Sequence, residues 1–356
     1  MPVYKNEKRN TWYASFYYKD WTGKRIRKKK EGFATRKQAA DFEREFIEIS
    51  EGQCTMRFSS LIKIYMDDSR NRIKYSTYVT RRSIISKHIL PFFAKMAINC
   101  ITPTDVNRWQ NWILTHNAEK SPQYLHKLNL QLSTIFRFAE KFYKLNKNPA
   151  KACAMLGSTK RKNLSYWTLG EFKRFIKAID GQEPLHTISN VLFWSGVRRG
   201  ELLALRPSDF DFEKNSLSVS RNVVFINSRA YLSSLKTDRS ERQINIPDFL
   251  ADMVKKYIQT QDIRDNDFLF YYLPSYLMEK IRLYSTKAGL KPIKIHGFRH
   301  SHASLLIEQG ISPLLIAQRL GHKDVTTTLK YYAHLYPNKQ KKLAKKLHNL
   351  YKENID

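Results

Sequence analysis

KIHGFRHSHASLLIEQG, residues 294–310, is the stretch on which the reading of this chain turns. Phe298, Leu305 and Leu306 recur at helical spacing and Gly310 stands where a helix would end, so the segment predicts a helix with one apolar side. His296 and Arg299 fall at its N-terminus, where free backbone N–H groups and the helix dipole favour an anion. His300 and His302 read as packing or polar-face residues of the same helix. Three histidines so close invite a metal, but no carboxylate stands at a suitable spacing, and none is expected.

An anion site at a helix start gains meaning from the charge of the whole chain. Lys and Arg total 63 against 32 Asp and Glu over 356 residues, a net +31, which favours a polyanionic partner such as duplex DNA or RNA. A membrane surface is the competing partner. No apolar run approaches the roughly 20 residues that span a bilayer, and MPVYKNEKRN, residues 1–10, lacks the apolar core of a signal peptide. Cys54, Cys100 and Cys153 are odd in number, far apart and without CxxC spacing, which suggests a reduced, cytoplasmic protein without structural zinc. Apolar residues make up 42%, enough for buried cores, and the length predicts two or three domains.

Working back to the N-terminus, WYASFYY (12–18) puts Trp12, Ala14, Phe16 and Tyr18 on one face at period two and predicts a strand. DWTG (20–23) is a turn, and KRIRKKK (24–30) is the candidate partner strand. Thr35 and Gln38 have capping-box spacing before a helix running to about Ile49. Lysines also protect sheet edges from aggregation, but the cation density of this strand exceeds that need. Lys24, Arg25, Arg27, Lys28, Lys29 and Lys30 are therefore candidate nucleic-acid contacts.

From Phe58 to about Tyr143 the apolar spacing turns helical in four runs: FSSLIKIYM, the stretch from Tyr75 to His88, DVNRWQNWIL after Pro103, and SPQYLHKLNLQLSTIFRFAEKF with Ser121 as N-cap and Pro122 at N1. Cations dot the polar faces of this bundle, and Arg81 and Arg82 are its candidate DNA contacts. KLNKNPAKACAMLGSTKRKN (144–163) is polar, basic and poorly periodic, which places a linker around residues 150–164. A third unit opens with the capping box of Thr168 and Glu171 and a helix through Ile179. Strand-like runs follow (SLSVS, 216–220; NVVFI, 222–226; RQINI, 242–246), and then helices to the end.

Three further segments carry chemistry. In SGVRRGELLAL (195–205), Ser195 and Gly196 interrupt an apolar helix, and Arg198 and Glu201 stand three apart, so a carboxylate is placed to fix a guanidinium. LKTDRSERQINIP (235–247) sets Lys236 in a polar turn between strands, where it can project into a groove. RLGHKD (319–324) puts His322 just past a glycine, ten residues before the second tyrosine of VTTTLKYYAHL (325–335). Helical geometry alone leaves Tyr331 and Tyr332 open as alternatives, since neighbours differ by about 100° around a helix.

The ordered set SGVRRGE, KTDRSER, HGFRH, LGH and TTTLKYYAH, between residues 195 and 334, resembles the catalytic pattern of the tyrosine recombinases, the phage integrase family. Ser195 stands where threonine is frequent in that pattern and Gly297 where a polar residue is frequent. The resemblance implies a multidomain, mainly α protein with small β elements. It would comprise an arm-type DNA-binding domain (1–55; a β-hairpin or three-stranded sheet plus a helix), a helical core-binding domain (56–150), a linker (151–164) and a mixed α+β catalytic domain (165–356). Arg198 and Arg299 would clamp the scissile phosphate, with Glu201 orienting Arg198. Lys236 would protonate the 5′-hydroxyl leaving group, His296 would serve as acid/base, and His322 would bond a non-bridging oxygen. The family's Y-x-H ending selects Tyr332 as nucleophile, forming a 3′-phosphotyrosine without cofactor, metal or ATP. Core-type and arm-type sites on double-stranded DNA, a homotetramer in the synaptic complex, and an accessory excisionase or DNA-bending host factor are the implied partners. A type IB topoisomerase and a non-catalytic DNA-binding protein are the alternatives; the first shares the constellation, and the second leaves five ordered motifs as coincidence.

Overall fold

The computed structural model describes residues 3–7, 9–19, 25–50, 56–117, 119–159, 165–234, 241–332, 344, 347–349 and 351–352. It divides into two compact units, Met1–Arg161 and Lys162–Asp356.

The first unit begins with an antiparallel sheet in the order β1 (Val3–Asn6), β2 (Thr11–Lys19), β3 (Arg25–Phe33). Its period-two alternation places Ala14 and Phe16 in a small core closed by Phe42 and Phe46 of α1 (Arg36–Ser50). Thr35 Oγ1 accepts from Gln38 N at 3.2 Å, as the capping spacing predicts, while Gln38 Oε1 reaches one residue further back, to Ala34 N at 3.1 Å. The strand expected over 24–30 is present from Arg25, and Lys24 lies outside the described residues, as does the DWTG turn. A register shift near the end of β3 marks a bulge, with Gly32 at φ +92°.

The remainder of this unit is the expected bundle: α2 (Phe58–Arg72), α3 (Tyr75–Ile84), α4 (Leu90–Phe93), α5 (Pro103–His116) and α6 (Pro122–Phe142). Pro91 has no N–H to offer the carbonyl four residues back, and a π turn over Ile85–Ile89 joins α3 to α4 just before it. Ser121 caps α6 through Tyr124 N, with Pro122 at N1. The core gathers Phe58, Phe93, Trp109 and Phe136, and the Trp109 indole donates to His88 O at 2.7 Å. The stretch expected as linker is described as far as residue 159, and it packs on the bundle. Gln110 Nε2 donates to Ala154 O at 2.9 Å, Ser158 N donates to Pro122 O at 3.1 Å, and Leu156 lies against the core.

The second unit contains α7 (Leu169–Ala178), α8 (Leu185–Ser195), α9 (Arg199–Leu202), β4 (Phe210–Asp211), β5 (Ser216–Val219), β6 (Arg221–Ile226), β7 (Arg229–Ser234), β8 (Arg242–Asn245), α10 (Asp248–Thr260), α11 (Pro274–Lys287), α12 (Ile295–Glu308), α13 (Pro313–Leu320) and α14 (Val325–Tyr332). Strands β4, β5 and β8 form one antiparallel sheet, and β6 pairs with β7 in a hairpin. The hairpin turns at Asn227 and Ser228, both at positive φ. The capping box of Thr168 and Glu171 opens α7 as expected. Helix α12 packs against α8 in the centre of the unit. Phe298 is fully buried in the main core and Leu305 rests on it, whereas Leu306 turns to a second cluster that contains Tyr332. The helix is thus enclosed on several sides, which carries its polar residues inward.

Candidate active site

The site is built around two left-handed glycines at helix ends. Gly196, φ +69°, terminates α8 and turns the chain so that Arg198 caps α9. Arg198 N donates to Glu201 Oε2 at 2.8 Å, and Arg198 Nη1 donates to Oε1 at 2.6 Å. Gly321, φ +63°, terminates α13, and its carbonyl accepts from Arg198 Nη2 at 2.8 Å. Arg299, on α12, donates from Nη1 to Gly196 O at 2.9 Å and from Nη2 to Leu320 O at 2.5 Å. The two arginines therefore converge on the carbonyls that a helix end leaves without partners.

Glu201 is fully buried, and Arg242 holds it together with Arg198. Burial pushes its carboxyl up, but the hydrogen bond and charge of Arg242, then the charge of Arg198, outweigh it and hold the pKa at about 2. Arg299 is pressed down to about 9 by burial and by the neighbouring Arg198, so it stays charged at neutral pH. These cations surround three histidines. His296 is lowered to about 4 and His322 to about 3, in each case by burial first and then by Arg299 and Arg198. His322 Nδ1 lies 2.7 Å from Thr328 Oγ1, which orients the ring from α14. His300 is lowered to about 4 by burial, His296 and Arg299.

Tyr332 ends α14 with its ring among Ala303, Ile307, Ile316 and Leu320, and is 2% exposed. Its hydroxyl stands 2.6 Å from His300 Nδ1. His300, read from sequence as a packing or polar-face residue, thus has a specific polar partner at the end of α14. Helix α12 is enclosed, and its register aims His300 at the end of α14. His302 does pack: it is buried and its Nε2 accepts from Arg319 Nε at 3.0 Å. Sequence reasoning misses Arg242, although a charged residue at the first position of a predicted buried strand is a usable signal. Lys236 and the side chain of Tyr331 lie outside the described residues. Among the described residues no cluster of His, Cys, Asp or Glu has the makings of a metal site, and no helix is long and apolar enough to cross a membrane.

The N-terminal candidates sort by strand parity. Lys28 and Lys30, opposite Phe16 and Ala14, lie on the helix side, with Nζ 5.4 Å from the Phe46 ring centre and 4.6 Å from that of Phe42. Arg25, Arg27 and Lys29 share the outer face with Tyr13 and the exposed Tyr17; the Arg25 guanidinium is 4.6 Å over Tyr17 and Lys29 Nζ is 4.9 Å over Tyr13. In the bundle, Arg81 Nη1 donates to Ser69 Oγ at 2.7 Å, whereas Arg82 is exposed.

Residues 167–339 match the phage integrase family, residues 57–114 its N-terminal SAM-like domain, and residues 2–48 an arm DNA-binding domain. The ICEBs1 integrase of Bacillus subtilis (strain 168) is 33% identical over 358 residues, covering 95% of this chain and 96% of that protein. A XerC-like tyrosine recombinase of Caldanaerobacter subterraneus subsp. tengcongensis is 27% identical, covering 72% and 73%. In fold, the chain is similar to the Tn1549 transposon integrase in complex with a circular intermediate DNA, with a TM-score of 0.68 at 19% identity, covering 81% of this chain and 99% of that one. It is also similar to a lambda integrase dimer bound to a COC′ core site, with a TM-score of 0.59 at 18% identity, covering 93% and 94%.

The chain belongs to the phage integrase family, as its five motifs suggested. It is a tyrosine recombinase, a DNA-binding enzyme that recombines DNA at specific sites to integrate a mobile element.

Proposed function

We propose that this recombinase both integrates and excises its element through a 3′-phosphotyrosyl intermediate, with Tyr332 as the nucleophile. The observation that carries the reading is the convergence of Arg198 and Arg299 on the adjoining carbonyls of Gly321 and Leu320 at the α13 end, a short way before a buried tyrosine at position 332. A phosphodiester entering there replaces those carbonyls as the acceptor of guanidinium N–H groups. The cations then stabilise the charge that builds on the phosphorane. Glu201 fixes Arg198, His322 donates to a non-bridging oxygen, Lys236 protonates the departing 5′-oxygen, and His296 serves proton transfer beside them. The phosphotyrosyl ester keeps the energy of the broken bond, so a new 5′-hydroxyl rejoins the strand without ATP.

The N-terminal sheet binds arm-type sites through the face carrying Arg25, Arg27 and Lys29, and the bundle and catalytic unit take the core-type site. Of the two candidate cations of the bundle, the exposed Arg82 rather than Arg81 meets a phosphate. Four copies act in the synaptic complex, and an excisionase or DNA-bending protein sets direction, in the bacterial cytoplasm. The test is Tyr332→Phe on a nicked suicide duplex spanning the attachment core. Binding persists and covalent complexes disappear, and peptide mapping of trapped wild-type protein finds DNA on Tyr332. DNA mapped to Tyr331 would refute the assignment.

A further inference from the structure

The contact between His300 and Tyr332 has no place in the roles assigned above. His300 follows His296 by one helical turn on α12, and their rings meet edge-on with centroids 4.7 Å apart. It is the ring of His300 that reaches the phenol, Nδ1 to Oη 2.6 Å. Burial, then His296 and Arg299, keep this imidazole neutral at pH 7, with one ring nitrogen unprotonated. Arginine has no acceptor to offer a phenolic proton. His322 Nδ1 is engaged with Thr328.

We propose that His300 is the general base of strand cleavage, taking the phenolic proton of Tyr332 on Nδ1. The proposal rests on Tyr332 being the nucleophile. As the Oη–H bond breaks toward Nδ1, an Oη lone pair forms the bond to phosphorus. The P–O5′ bond breaks, and its electrons leave on the 5′-oxygen, which is protonated by a different group, Lys236 in the assignment above. On rejoining, the incoming 5′-hydroxyl loses its proton to that group, the P–Oη bond breaks, and the His300 imidazolium returns its proton to Oη. An arriving phosphodiester offsets the charge of Arg299, and the imidazole rises toward its ordinary value of about 6.5 as it is needed. His300 thereby takes the proton of the phenol itself, and His296, one turn back with its ring against that of His300, supports the transfer as its neighbour.

Single-turnover cleavage of a nicked duplex spanning the attachment core tests this with the full-length protein, across pH 5.5 to 9.5. His300→Asn places an amide nitrogen near the Nδ1 position, keeping a hydrogen bond to Tyr332 but no proton acceptor. It binds the duplex as the wild type does and cleaves about 10²–10⁴-fold more slowly at pH 7. Its rate climbs about tenfold per pH unit toward the tyrosine's own pKa of about 10, where the wild type is flat. His300→Ala shows the same profile, so the loss does not hinge on one replacement. A 5′-bridging phosphorothiolate, whose leaving group needs no proton, relieves Lys236→Ala but leaves the His300→Asn defect in place. Wild-type rate and profile in His300→Asn would overturn the proposal, as would its rescue by the phosphorothiolate. Covalent complexes surviving in Tyr332→Phe would instead strike at the nucleophile, a failure readily told apart.

Discussion

Arg242 holds Glu201 through both guanidinium branches, Nη2 2.9 Å from Oε2 and Nη1 3.2 Å from Oε1, with side chains only 6% and 1% exposed. Arg198 takes the same carboxylate, so one buried anion lies between two cations. Removing one partner of a buried pair costs about 3–5 kcal/mol. Arg242→Ala is accordingly expected to lower stability by that order in thermal or urea unfolding. Arg242→Lys restores only part of it, because lysine lacks the fork that spans both oxygens. A loss below about 1 kcal/mol would contradict the burial of the pair.

Gly196→Ala is expected to damage fold and site together. The residue is left-handed, and a Cβ there would stand 2.6 Å from His302 Cδ2 and 2.8 Å from Leu320 Cδ2. Left-handed strain costs about 1–2 kcal/mol and overpacking a further 1–3 kcal/mol. Since Gly196 O accepts from Arg299, cleavage of a suicide substrate should fall even at temperatures where the variant is folded. Full cleavage by folded Gly196→Ala would show that this turn does not position the arginine.

Acid sensitivity follows from the histidines. His296, His300, His302 and His322 are all held below their ordinary value of 6.5, to between about 3 and about 4. In that window the unfolded chain binds more protons than the folded one, so stability is complete above pH 6.5 and is lost as the pH falls toward 4. Melting temperatures measured in steps from pH 7.5 to 4.5 should decline steadily below pH 6.5. With core-site DNA bound the decline should be shallower, because phosphate offsets the cations that depress these groups. A flat profile down to pH 5 in the free protein would contradict histidines held neutral by their surroundings.

The parity of β3 separates binding from packing. Replacing Arg25, Arg27 and Lys29 with serine should weaken arm-site binding and reduce the log–log salt slope by up to about 0.9 for each phosphate left unneutralised. Replacing Lys28 and Lys30 should change that slope less and lower the melting temperature of the N-terminal module, since their ammonium groups lie over the rings of Phe46 and Phe42. Equal salt slopes for the two sets would defeat the assignment of faces.

Much of the fold was legible wherever one element carries its own period. WYASFYY announces β2, and the apolar spacing around Trp109 and Leu128 announces α5 and α6. Strand β7, RAYLSS, has no such pattern; the turn at Asn227 and Ser228 and the pairing with β6 make it a strand. The stretch from Ala150 to Ser158 looked unstructured because its partners, Gln110 and Pro122, lie far back in the chain. The site divides in the same way. Arg198 and Glu201 are three apart and readable as a pair, whereas Arg242 meets Glu201 across 41 residues and His300 meets Tyr332 across 32. No local spacing encodes pairings of that span; they appear only when α12, α13 and β8 have been brought together.

The turn from Leu320 to Gly321 serves two masters. Its carbonyls seat Arg299 and Arg198, and the same backbone runs on through His322 into the helix that ends at Tyr332. The seat of the two arginines and the apolar seat of Tyr332 are therefore the two ends of one short run of backbone.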